Sequence, residues 1–117
     1  MTVYESGIGD PLLQPQTHNY NIRNYLSEEH SILSRCLHKF DCVMELGCSD
    51  GRHTAQVLAD GKQYIGIDNV SRYIETARRR FARHATQPEF IVDDIKNFVR
   101  HMPTQAGKML MIFPFNI

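Results

Sequence analysis

The chain has 117 residues, 42% hydrophobic and 22% charged, the proportions of one ordinary globular domain with one core. Its 13 Lys and Arg balance 13 Asp and Glu, which gives no support for a general nucleic-acid binder, whose usual footprint is a basic surface. No apolar run approaches the roughly 18 residues of a membrane span, and the N-terminal stretch MTVYESGIGDPLLQPQ has neither the basic nor the apolar part of a secretory leader.

In chain order, residues 1–19 read as a polar N-terminal arm, broken by Gly7, Gly9, Pro11 and Pro15. A helix is predicted over about 28–38. Ser27 is its N-cap, Glu28 and Glu29 stand in its first turn, and Ile32, Leu33, Cys36 and Leu37 lie on one face. Tyr20, Ile22, Tyr25 and Leu26 form a helical turn or an extended entry before it. Asp41–Leu46 is short and apolar, and reads as a buried strand ending at Gly47. Thr54–Ala59 is helical, with Gly61 placed to close it. Gln63–Ile67 is a second strand. Ser71 or Asn69 caps the next helix, whose Ile74, Ala77 and Phe81 share a face. Glu89–Val92 is a third strand, Ile95, Phe98 and Val99 suggest a short helix, and Lys108–Phe113 is a fourth strand. Strands alternating with helices predict an α/β fold, a parallel Rossmann-like sheet with helices on both faces.

The three cysteines, Cys36, Cys42 and Cys48, are read as reduced thiols in a cytoplasmic setting. They lack the closely spaced pairs of zinc sites, so no metal is expected. Cys36 and Cys42 read as core residues. Arg72, Arg78, Arg79, Arg80, Arg83 and His84 form the one basic cluster. It lies opposite Ile74, Ala77 and Phe81 on a helix and reads as a solvated face rather than an RNA-contacting one.

In such folds ligands bind beyond the carboxyl ends of the strands. Three successive strand ends here carry acids: Glu45-Leu46-Gly47-Cys48-Ser49-Asp50-Gly51, then Ile67-Asp68, then Val92-Asp93-Asp94. The glycine turn is not a Walker loop, because Gly47 and Gly51 are too close and Arg52-His53 stands where Lys-Ser/Thr is required. It matches the serine nucleophile elbow G-x-S-x-G literally. However, it follows the first strand, and Asp50 would set a carboxylate beside the oxyanion donors. A nicotinamide-binding turn would place its third glycine at Arg52, although Asp68 suits the ribose acid of that motif. Each acid also has a plainer reading: Asp68, Asp93 and Asp94 can all cap the helices that follow them.

Together the three strand ends resemble those of the class I S-adenosylmethionine-dependent methyltransferases, over about residues 20–117. Ser49 departs from that family's middle glycine. The resemblance implies that Gly47, Cys48, Ser49 and Gly51 form the loop around the amino-acid end and ribose of S-adenosyl-L-methionine. Glu45 lies beneath that loop and helps hold the methionine amino group through water. Asp68 accepts from the ribose hydroxyls, and Asn69 lies against the adenine. Asp94, in preference to Asp93, accepts from the adenine amino group, helped by the Ile95 backbone. Tyr20 and Tyr25 stand where an N-terminal helix touches the cofactor, or simply pack on the sheet.

The same resemblance implies strand order 3-2-1-4, continued in the family to seven strands. This sequence is therefore expected to be truncated relative to that fold. Its fourth strand would be an apolar edge at which a second copy or a partner chain docks. Pro114 and Asn116 share residue types with a motif of amino-group methylating members, but in another order, and no role is carried over. The methyl acceptor and a catalytic base are not legible. A catalytically silent Rossmann-like module and a fragment of an NAD-dependent oxidoreductase are the competing readings.

Overall fold

The computed structural model describes residues 20–104 and 107–113, with residues 20–22 as backbone. The expected N-terminal arm, Pro114 and Asn116 lie outside the described residues. Helix α1 spans Tyr20–Leu37, strand β1 Cys42–Leu46, helix α2 Thr54–Ala59 and strand β2 Gln63–Asp68. Helix α3 (Ser71–Arg80), strand β3 (Glu89–Val92), a 3-10 helix (Ile95–His101) and strand β4 (Met109–Ile112) follow.

The sheet is wholly parallel, in the order β3-β2-β1-β4. β1 is central and buried at every position, as a parallel strand covered on both faces must be. Its alternate residues enter two cores. Val43 joins Tyr64, Phe90 and the apolar faces of α1, α2 and α3 through Leu33, Leu37, Val57, Leu58, Ile74, Ala77 and Phe81. Cys42, Met44 and Leu46 join Ile65 and Ile67 on the other face, where Phe98 of the 3-10 helix packs. Among the described residues, three helices thus cover one face and one short helix the other.

Two local expectations are corrected. α1 begins about two turns before the predicted start, so Ser27 is an internal residue and not an N-cap. Half-buried Leu26 shares a helical face with buried Leu33 and Leu37, which extends the apolar stripe backwards. The cap position of α3 is Val70, not Ser71 or Asn69. Asp68 supplies the bond instead, its Oδ1 accepting from the Val70 N–H at 2.9 Å. The segment after β3 is a 3-10 helix throughout, capped by Asp94, whose Oδ1 accepts from the Lys96 N–H at 3.0 Å. Gly61 does follow α2 at φ 75°, its N–H donating to Leu58 O.

Candidate functional site

The turn after β1 carries three residues at positive φ: Gly47 at 88°, Ser49 at 55° and Gly51 at 90°. This alternation folds the chain back on itself, and glycine meets it at two of the three positions. Gly51 is needed for a second reason: a Cβ there would stand 3.0 Å from the Phe81 ring and 3.1 Å from Thr54 Oγ1.

The turn is pinned from several directions. Gly47 and Cys48 donate their N–H groups to Ile67 O at 2.7 and 3.1 Å. The Ser49 N–H donates to Asp68 Oδ2 at 2.9 Å. From α3, Arg80 donates to the Asp50 carbonyl at 2.9 Å. The Cys48 side chain turns inward and is buried. Burial, with Glu45 and Asp68 nearby, pushes its thiol well above the ordinary range, so only its backbone faces the turn's outer side. Gly66 makes room for it, since a Cβ there would approach the Cys48 Cβ and Sγ to 2.8 Å and the Tyr64 ring to 2.9 Å.

Of the acids that end the next two strands, Asp68 bonds this turn directly. Asp68 ends β2 nearly buried, with one bond on each carboxylate oxygen. A carboxylate offers about four lone-pair sites, so acceptor capacity remains. The Asp93 N–H donates to Asp68 O at 3.1 Å, joining the end of β3 to that of β2. Asp93 is committed locally: its Oδ1 accepts from Asn97, and its Oδ2 lies 2.7 Å from His101 Nε2. Those two partners, Asn97 first, hold its carboxyl down at about 2. Asp94 is half-exposed. Asn69 and Ile95 are exposed beside these acids.

Glu45 is 1% exposed, inside the helix-covered face of the sheet. Its Oε1 accepts from the Tyr64 hydroxyl and its Oε2 lies 2.6 Å from His53 Nδ1. His53 Nε2 lies 2.6 Å from Glu29 Oε1 in α1, which also accepts from Arg52 at 2.7 Å. Burial works against the charged imidazole, but Glu29 and Glu45 outweigh it and raise the His53 pKa to about 9. A chain of polar groups therefore runs from α1 through the residue beyond the turn to the middle of the sheet. Their sequence positions alone give Glu29, His53 and Tyr64 no role at the site. The legible sign was the acid inside DCVMEL: a carboxylate in a buried strand requires buried donors.

A cleft of about 400 Å³ opens between α1 and β4. Its walls include Tyr25, Ile32, Leu33, Leu110, Ile112 and Phe113, and its polar groups are Glu28, Glu29 and His53. Arg72 and Arg79 are exposed on α3 and Arg83 just beyond its end, whereas Arg78 turns to the sheet, its Nε and Nη2 donating to Phe90 O at 3.2 and 2.7 Å. No helix among the described residues is long and apolar enough to cross a membrane.

Residues 43–116 match the family profile described as methyltransferase domain. No curated protein matches the chain. Among solved structures, it is similar to magnesium protoporphyrin IX methyltransferase from Synechocystis PCC 6803, with bound SAM. The TM-score is 0.66 at 12% identity, over 93% of this chain and 57% of that one. It is also similar to the PH0226 protein from Pyrococcus horikoshii OT3, with a TM-score of 0.54 at 23% identity, over 66% of this chain and 36% of that one. The chain thus spans about a third of one neighbour's length and just over half of the other's. These likenesses show the fold. The profile match, over more than half of the sequence, shows that the chain belongs to the class I S-adenosylmethionine-dependent methyltransferase family.

Proposed function

We propose that this chain binds S-adenosyl-L-methionine across the carboxyl ends of β1, β2 and β3 and serves methyl transfer to an acceptor. The observation that carries the proposal is the bond from the Ser49 N–H to Asp68 Oδ2. It sets an acceptor-only carboxylate directly against a turn whose alternating positive φ angles leave its backbone open to close approach.

The donor and acceptor chemistry of the residues present fits the group. Ribose hydroxyls donate, and Asp68 retains lone pairs to accept them. The adenine amino group donates, and Asp94, half-exposed at the end of β3, keeps acceptor capacity beyond the Lys96 N–H that it caps, whereas both oxygens of Asp93 are engaged by Asn97 and His101. Ile95 follows with its backbone, and Asn69 offers the surface beside the adenine. Gly47, Cys48, Ser49 and Gly51 line the amino-acid end by close approach of their backbone, their N–H groups being already donated to Ile67 O, Asp68 Oδ2 and Cys48 O. Glu45 acts from beneath, through its bonds within the sheet, with contact to the methionine amino group made by water.

When bound, S-adenosyl-L-methionine supplies an electrophilic methyl on a sulfonium. What the protein adds is alignment and exclusion of water, since positive charge disperses as the methyl moves. The acceptor is unassigned. The setting we propose is cytoplasmic, in keeping with three free cysteines. The edge of β4 away from β1, unpaired among the described residues, is proposed as the place where further chain or a partner joins.

Titration calorimetry of the chain with S-adenosylhomocysteine and, separately, with NAD tests the reading. Binding of S-adenosylhomocysteine, lost in Asp68→Ala, supports it. Heat with NAD alone would transfer the site to the oxidoreductase reading, and heat with neither would leave a silent module.

A further inference from the structure

We propose that His53 is a positioning residue: bonded to Glu45 on one side and to Glu29 on the other, its doubly protonated ring clasps the cofactor turn and seats α1 against it. The inference rests on the cofactor reading above and deepens it by assigning control of that site to a residue outside the motif.

Geometry carries the proposal. Glu45 immediately precedes the turn's entry and His53 follows its exit, so the 2.6 Å contact between them closes residues 46–52 into a ring. The other ring nitrogen stands 2.6 Å from Glu29, which ties α1 to the same point. Both partners are carboxylates, which accept and do not donate when ionised, so the imidazole must donate from both nitrogens. A neutral ring would leave one carboxylate facing a lone pair, at a cost that is largest for Glu45, which is 1% exposed, and smaller for Glu29, which borders the cleft. His53 is 5% exposed.

The charged and titratable groups around the ring are few. Glu29 comes from α1, and Glu45 from β1 with Tyr64 of β2 behind it. Arg52 lies beside it and pairs with Glu29. Tyr25, Glu28 and Cys36 of α1 border the same cleft, and the contribution of β4 to that cleft is wholly apolar. Tyr64 and Cys48 are both held well above their ordinary ranges, first by burial and then by Glu45. Of the groups bonded in the clasp, His53 is the one that changes charge as pH rises above neutral, and it does so around 9. Losing that proton opens the clasp. Affinity for the cofactor should then fall by up to about tenfold per pH unit above the midpoint.

Two measurements on the full chain decide it. The first needs no ligand: nuclear magnetic resonance follows the His53 ring and the backbone amides of Ser49 and Gly51 from pH 6 to 10. Shared midpoints near 9, moved downward together in Glu29→Gln, are expected. Turn amides that ignore the His53 titration would overturn the proposal. The second is the affinity for S-adenosylhomocysteine over the same range. It should be flat to about pH 8 and then fall, with the fall beginning at lower pH in Glu29→Gln. An unchanged affinity through pH 10 would also overturn it. No binding at neutral pH would instead sink the cofactor reading, and the ligand-free titration would still decide the clasp. Glu29 is partly exposed on α1, so its conservative variant keeps the test open if substitutions at buried His53 fail to fold.

Discussion

The Ser49 N–H and Asp68 Oδ2 stand 2.9 Å apart, joining the turn after β1 to the tip of β2. Asp68 also accepts from Val70, so one side chain organises two backbone segments. Replacing it with alanine leaves two N–H groups without that acceptor. The expected cost is about 2 kcal/mol of folding stability, with loss of S-adenosylhomocysteine binding. Urea unfolding and calorimetry check the two effects separately.

Ser49 occupies a left-handed conformation at φ 55°, where a Cβ is unfavourable by roughly 1–2 kcal/mol. Glycine removes that strain but adds unfolded-chain entropy worth about 0.4–1 kcal/mol. Ser49→Gly should therefore stabilise the fold by about 0.5–1 kcal/mol, visible as a rise in Tm. A fall in Tm would mean the hydroxyl has a stabilising partner that outweighs the strain.

Gly66→Ala should destabilise by about 1–3 kcal/mol through overpacking, because its Cβ would press on Cys48 and the Tyr64 ring. Trimming Cys48 to alanine removes one of the two Cys48 atoms in that contact, Sγ, while its Cβ remains. The double variant should thus recover part of the loss. A double-mutant cycle in urea measures the coupling, and strict additivity would place the strain at Tyr64 instead.

Folding stability should decline as the solution becomes alkaline. His53 titrates at about 9 in the fold and near 6.5 when unfolded, so the folded state holds the extra proton between those values. Its contribution is complete below pH 6.5 and is lost as pH rises through 9. Wild-type Tm should fall across that window, and His53→Gln should show a lower Tm with a flatter alkaline limb. An alkaline limb equally steep in the variant would assign the decline to other groups.

The opposite sign applies at Asp93. Its carboxyl is held at about 2 against an ordinary 3.8, by Asn97 and then His101. Its stabilising contribution is present above 3.8 and is lost as pH falls through 2. Asn97→Ala should raise its midpoint in a carboxyl-carbon NMR titration.

The fold was legible because its signals are local and repeated. Short apolar runs marked the four strands, three of them closing on acids, and helical spacing marked α2 and α3. The resemblance of three strand ends then implied the order of the sheet. α1 was read too short because Ser27 has the chemistry of a cap. Only the burial of Leu33 and Leu37, with Leu26 on the same face, shows that the stripe starts earlier. The turn and its acids could be found from spacing. Glu29, His53 and Tyr64 could not be joined to Glu45 in the same way. They come from three different elements, and only the folded sheet brings them within hydrogen-bond reach.

The order β3-β2-β1-β4 has a consequence for synthesis. A ribosome delivers the innermost strand first. Cys42–Leu46 gains β2 as soon as the following helix and strand emerge, since the β1–β2 register joins neighbouring segments. Its other flank must wait for Met109–Ile112, after α3, β3 and the 3-10 helix have all been made. During that interval the nascent domain carries one unsatisfied border of amides and carbonyls along the strand that ends up buried at every position. That is when it most needs shielding by a chaperone.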